Sequence, residues 1–191
     1  MQEPNKYLAT RLRTLRKERG WSLDRCAGET GVSKAMLGQI ERGESSPTIA
    51  TLWKIAGGFH TSLSDFLEPT PAPHPGPLYR QADTLRRQPA GDGILVAPLF
   101  PFEDRFGFEM LELTLLPGYE RRSDPHDSGV IEHVIVQRGE MELLLEGRWQ
   151  PLVPGTAVRF HADRPHGYRN PGPTPAVFYN LIHYPARKPD T

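Results

Sequence analysis

One cysteine, Cys26, is all the thiol this 191-residue chain carries. A disulfide within the chain is therefore impossible, and a disulfide-framed secreted scaffold is excluded. Long apolar runs are also missing, since none reaches the ~18 residues that suggest a membrane span. The first stretch, MQEPNKYLATRLRTLRKERG, is basic but has no apolar block and no small-residue cleavage site, so no signal peptide is expected. There is no net charge either: 23 Lys and Arg stand against 23 Asp and Glu. Neutrality does not exclude nucleic acid, because the distribution of charge matters more than its sum. Internal repeats are absent. The 37% hydrophobic content supports packed cores with little surplus. These absences point to a cytoplasmic chain with no membrane partner, built as one large or two small domains.

What is present changes character at 68–77, EPTPAPHPGP, where half the residues are proline. Such a segment builds neither a helix nor an internal strand and tends toward an extended form. It reads as a linker between a domain at 1–67 and one at 78–187. Before it the periodicity is helical. Leu8, Leu12 and Leu15 repeat at four and three residues; Leu23, Cys26 and Ala27 follow Ser22; Leu37 and Ile40 follow Ser33. Ile49, Leu52, Ile55, Ala56 and Phe59 follow Pro47, and Ser62 to Leu67 completes a bundle of five short helices. Lys6, Arg11, Arg13, Arg16, Lys17 and Arg19 crowd the first helix against Glu18 alone. After the linker, short runs such as FGFEMLELTLL and VIEHVIVQ are parted by Gly and Pro, as in an all-β sandwich or barrel.

The stretch GVSKAMLGQIERG holds a short helix over 33–42. At about 100° per residue, Leu37 and Ile40 face one way and must be buried. Ala35, Gln39 and Arg42 face nearly opposite with Gly38 beside them, and Lys34 and Glu41 lie on one flank. That outward face is small, amide-bearing and cationic, which suits the major groove of DNA: Gln pairs with an adenine edge, Arg with guanine, and small residues allow close approach. The order helix 22–30, turn Gly31-Val32, helix 33–42 is a helix-turn-helix. RKERGWSLDRCAGETGVSKAMLGQIERGESSPTIATLWKIA resembles the Cro/C1-type (XRE) helix-turn-helix family. The resemblance implies that Ser33, Lys34, Ala35 and Gln39 face base edges. It also implies that Ser22, Leu23 and the segment from Arg42 to Ser46 meet phosphates, with Arg19 as a further candidate. Cys26 stands where the family has a larger aliphatic residue. Its spacing makes it a structural core thiol, with a redox sensor as the lesser reading.

In the second half, Glu132 to Gly139 reads E-x6-G, and Gly155, His166 and Asn170 read G-x10-H-x3-N. These resemble the two motifs of the cupin fold, a small β-barrel whose motif His and Glu residues hold a divalent metal. The match departs from the pattern in places. With His126 as the first motif histidine, Ser128 occupies the second histidine's position, Glu120 that of the opening Gly, and His161 and Asp163 those of the Pro and Gly of the second motif. The resemblance thus implies a three-residue metal set, His126, Glu132 and His166, for Zn²⁺ or another transition ion. Ser128 leaves room for an effector atom, so it is assigned to an effector pocket. Positions 126, 128 and 132 share strand parity, which supports one face for them and puts His133 on the other. His161 and His183 read as rim or surface residues, and a metal-free polar pocket is the alternative for the whole site.

Helix-turn-helix followed by cupin resembles a large class of bacterial transcriptional regulators. SKAMLGQIE, SSPT, ATLWKIA, GVIEHV and LIHYP resemble, in order, regulators of sulfur-utilisation genes. That resemblance implies a DNA-binding regulator, a homodimer on a palindromic double-stranded operator, with a sulfur-related small-molecule effector in the cupin. It implies no catalytic residues. The alternative is a cupin metalloenzyme of oxygenase or isomerase type tethered to a DNA-binding domain. The absent second histidine and the lack of an acid–base pair beyond the ligand set argue against it.

Overall fold

The computed structural model describes residues 4–70, 76–87 and 92–185. The chain forms two compact units, one with five helices and one with a sixth helix and nine strands among the described residues. The core of the proline-rich segment, 71–75, lies outside the described residues, as does the chain beyond 185.

The helical unit comprises α1 (Pro4–Glu18), α2 (Leu23–Thr30), α3 (Lys34–Glu41), α4 (Ile49–Gly58) and α5 (Ser64–Leu67). Ser22 caps α2 by accepting the Arg25 N–H at 3.1 Å, and Ser33 caps α3 by accepting that of Met36 at 3.2 Å. Each cap satisfies a donor that the first turn leaves without a partner, a stabilisation of roughly 0.5–2 kcal/mol. Pro47 falls just outside α4, whose cap is Thr48. Gly31 adopts φ +64° and returns its N–H to the Ala27 carbonyl, closing α2 and turning the chain into α3. Leu12, Cys26, Leu37, Ile40, Ile55, Phe59 and Phe66 form a core no more than 1% exposed. Burying each large apolar side chain contributes on the order of 1.5–3 kcal/mol. At Gly58 a Cβ would sit 2.6 Å from the Glu29 carbonyl oxygen, so α4 can approach the end of α2 only with glycine there.

Two α3 positions depart from the helical wheel. Glu41, placed on a flank with Lys34, is buried and grips Arg16 through Nε–Oε1 at 2.6 Å and Nη2–Oε2 at 2.8 Å. The wheel describes an isolated helix, whereas α1 packs against α3 and covers this flank. Gly38, expected beside the outward face, is also buried, with the Arg42 guanidinium and Leu23 of α2 nearest to it. Of the basic run at 6–19, Lys6, Arg13, Lys17 and Arg19 stay exposed, whereas Arg11 and Arg16 are half-buried and paired. Arg11 pairs with Asp65 at 3.0 Å, and Arg16 with Glu41. Arg19 lies over Trp21 and Phe59, 5.1 and 5.7 Å from the ring centroids, and donates to the Phe59 carbonyl.

In the second unit, α6 (Ala82–Leu85) precedes the strands; four residues are too few to show a helical period. The strands are β1 (Ile94–Glu103), β2 (Phe108–Leu115), β3 (Glu120–Ser123), β4 (Ile131–Arg138), β5 (Met141–Leu145), β6 (Arg148–Leu152), β7 (Ala157–His161), β8 (His166–Arg169) and β9 (Ala176–His183). They form two antiparallel sheets, β1-β2-β9-β4-β7 and β3-β8-β5-β6. Alternation along β2, β4 and β9 turns Leu111, Leu113, Val134, Val136, Phe178 and Ile182 inward. This is the cupin-type β architecture. Gly139, at the turn after β4, has φ +72°, and a Cβ there would lie 2.4 Å from the Pro175 carbonyl oxygen. The motif Asn170 is structural: its Nδ2 donates to the Leu115 and Thr174 carbonyls, and its Oδ1 accepts the Gly172 N–H.

Candidate functional site

In the helical unit, α3 exposes Ser33, Lys34, Ala35, Gln39 and Arg42 above the fully buried Leu37 and Ile40. Ser22 is exposed and Leu23 half-buried at the start of α2. Lys34 Nζ rests 2.8 Å from Asp24 Oδ2, an exposed pair with a stabilisation of at most about 1 kcal/mol, so a phosphate or base can replace it. Arg42 is held by Glu44, with Nε–Oε1 at 2.8 Å and Nη2–Oε2 at 2.7 Å. Neither acidic partner was signalled by the helical pattern.

In the barrel, three side chains converge from different elements. Glu132 points inward from β4, and His166 opens β8. His126 lies in the connection between β3 and β4, which Ala162 pins by accepting the His126 N–H at 2.9 Å. Each side chain offers one ligand atom, and all these atoms lie within 4.8 Å of one another. His126 Nε2 is 2.9 Å and His166 Nε2 3.4 Å from the same oxygen, Glu132 Oε1. His166 Nδ1 donates to the Arg164 carbonyl at 2.9 Å, which fixes the ring and leaves Nε2 directed at the centre. Burial pushes the Glu132 carboxyl up, but the two imidazoles outweigh it and hold the group well below the usual carboxylate range. Burial likewise works to lower His166, and the Glu132 contact overrides it and raises the imidazole.

Ser128 is not gathered with these three. It is exposed in the turn at 127–129, ahead of β4. Parity is a property of extended strand backbone, and 126 and 128 are not on a strand, so the inward placement of Ser128 is corrected. His133 does lie on the outer face with Ile131 and Ile135, and His161 and His183 are exposed.

The pattern missed Tyr168 and Asn180. The Tyr168 hydroxyl donates to Glu132 Oε2, and Asn180 Nδ2 donates to the same oxygen at 2.8 Å. One carboxylate oxygen is thus locked by donors while the other faces both imidazoles. Burial and the neighbouring Glu132 charge push the Tyr168 hydroxyl well above its ordinary value, so it stays a donor. Both residues had a signal: Tyr168 shares the strand parity of His166, and Asn180 is the polar residue at the inward position between Phe178 and Ile182. The donor set suits a divalent cation. A buried carboxylate facing two imidazoles requires a proton or a cation between them, and the carbonyl-anchored His166 is the orientation a metal ligand needs.

A helix-turn-helix head joined to a metal-competent cupin barrel defines a class of two-domain regulators, and the comparisons agree. Residues 12–66 match the HTH_3 helix-turn-helix model and residues 111–182 the Cupin_2 domain model. The chain is 45% identical over 185 residues to the HTH-type transcriptional regulator SutR of Escherichia coli (strain K12), covering 97% of this chain and 99% of that protein. It is similar to the crystal structure of an HTH_3 family transcriptional regulator from Vibrio cholerae, with a TM-score of 0.79 and 43% identity over 95% of this chain and 97% of the other. The HTH-type transcriptional regulator PuuR of Escherichia coli (strain K12) is 27% identical over 161 residues, 84% of this chain and 85% of that protein. The chain belongs to the HTH-type transcriptional regulators that carry a cupin domain. The metalloenzyme alternative is not favoured by these relatives. No helix among the described residues is long and apolar enough to cross a membrane.

Proposed function

We propose that this protein is a homodimeric transcriptional regulator in which 1–67 read DNA, 68–77 link, and 78–187 sense a small molecule. The observation that carries the DNA reading is the exposed face of α3 above fully buried Leu37 and Ile40. Ser33, Lys34, Ala35 and Gln39 meet base edges in the major groove; Ser22, Leu23 and Arg42 meet phosphates, with Arg19 in a supporting place beside them. Two heads on a palindromic operator double the contact of one short helix. Gln39→Ala should weaken specific operator binding by about 1–3 kcal/mol while leaving the melting curve unchanged. Fluorescence anisotropy on operator and scrambled duplexes measures this, and an unaltered sequence preference would remove α3 from the base-reading role.

In the barrel, His126, Glu132 and His166 hold a divalent cation, Zn²⁺ or another transition ion. When bound, the cation neutralises Glu132 and offers an open coordination position. A small effector can complete the coordination shell at that position, and the resemblance to sulfur-utilisation regulators points to a sulfur-containing amino acid. The effector acts by binding one state of the dimer better than the other. Protein purified without chelator should carry metal by mass spectrometry, and His166→Ala should carry none. A parent chain that is metal-free under every condition and still responds to its effector would make the barrel an organic-ligand pocket.

A further inference from the structure

Beside the three candidate ligands the barrel holds a buried acceptor with nothing to accept. Asn180, on β9, is fully buried and pairs across to Leu111 of β2 and Val134 of β4. Its amide orientation is dictated by chemistry. Glu132 Oε2 only accepts, so the NH₂ end must face it, as the 2.8 Å contact has it. That leaves Oδ1, which is buried and has no hydrogen-bond partner among the described residues. The residues beside it in the sheet supply no donor. The inward side chains beside it are Phe178, Ile182, Leu111 and Val134, all apolar. Tyr168 has a single hydroxyl proton, already given to Glu132. A buried carbonyl oxygen left in this state is costly and calls for a donor from outside the protein.

We propose that Asn180 is the effector-recognition residue of the barrel, and that its Oδ1 accepts an N–H or O–H from a small amino or hydroxy acid whose acid group occupies the open position beside His126, Glu132 and His166. This rests on the reading of the barrel as the effector site. Charge selects the acid. A divalent cation with one carboxylate and two neutral imidazoles carries one net positive charge, which an anionic ligand neutralises. The orphaned oxygen selects the donor. A site built to hydrogen-bond a donor discriminates strongly against an analogue that lacks it, because its own buried group is then left unpaired.

Acetate, glycolate and glycine share a carboxylate and differ in the group beside it: methyl, hydroxyl or ammonium. Calorimetric titration of the zinc-loaded full chain should show glycolate or glycine binding at least about tenfold tighter than acetate. Asn180→Leu should bring the three within about twofold, and Asn180→Ala gives the same test if the first variant does not fold. Equal affinities in the parent, no detectable binding of any of the three, or a donor preference that survives in a folded Asn180 variant would each overturn the proposal. Metal content measured alongside separates the two readings: a chain that takes up no zinc defeats the metal centre, and the same series on the metal-free chain still decides the role of Asn180.

Discussion

Tyr168→Phe removes one hydroxyl and leaves the ring. Tyr168 is 6% exposed and stacks on Phe178 with centroids 5.3 Å apart, so phenylalanine keeps the packing. What disappears is the O–H given to Glu132 Oε2; the Asn180 donor at 2.8 Å remains. A hydrogen bond to a charged group stabilises by about 1.5–3 kcal/mol, and the chelator-treated protein should lose that much in urea denaturation. The same bond orients Oε1 toward the two imidazoles. Loss of a partner that orients a metal ligand lowers affinity roughly 10–100-fold, which corresponds to about 1.4–2.7 kcal/mol. Zinc affinity is read by competition with a chromophoric chelator, parent against variant. Unchanged zinc affinity together with unchanged stability would refute the claim that Tyr168 holds Glu132 in place.

Arg16→Met strands Glu41, whose side chain is 5% exposed, with only Arg13 at 3.7 Å. Breaking a buried pair from one side costs about 3–5 kcal/mol, whereas Arg16→Met with Glu41→Leu should recover most of that in chemical denaturation; a double variant as unstable as the single would count against the pair. The metal-free barrel should be most stable between the ordinary carboxyl value of 4.5 and the ordinary imidazole value of 6.5. The Glu132 carboxyl is depressed, so its contribution is present above 4.5 and lost as pH falls through the folded value; His166 is raised, so its contribution is present below 6.5 and lost as pH rises through its own. Zinc competes with these protons, so the loaded protein should instead gain stability toward higher pH; melting curves with and without chelator test the difference. Burial pushes the Cys26 thiol up to about 11, so iodoacetamide at neutral pH should modify it only after unfolding, as mass spectrometry would register.

Both domain types were legible because each carries a period: three and four residues in Leu8-Leu12-Leu15, two in EMLELTLL. The candidate ligands His126, Glu132 and His166 were legible by motif, and the structure brings them together. Strand parity does not govern His126, which reaches the centre from a loop fixed to Ala162 by the backbone. Ser128 shows the consequence: the same spacing, on a turn, sends the side chain to solvent. The burial of Glu41 and Gly38 could not be read from α3 alone, since it depends on α1, α2 and Arg42. Tyr168 and Asn180 were visible as inward polar positions, but nothing in a single strand says that both end on one oxygen of Glu132.

The division of the basic run into paired and exposed cations also bears on how such a protein searches a chromosome. Hold on arbitrary DNA comes from cations that displace counterions from phosphate, and affinity for decoy sequence rises steeply with their number. Here Arg11 and Arg16 are engaged with Asp65 and Glu41, and Arg19 with the aromatic pair Trp21 and Phe59. Lys6, Arg13 and Lys17 remain exposed, so the head keeps part of its hold on arbitrary duplex and forgoes what Arg11 and Arg16 would add. Discrimination between right and wrong sites then rests on the outward groups of α3, and competing duplex across a genome titrates away less of the head than it would with Arg11 and Arg16 also free.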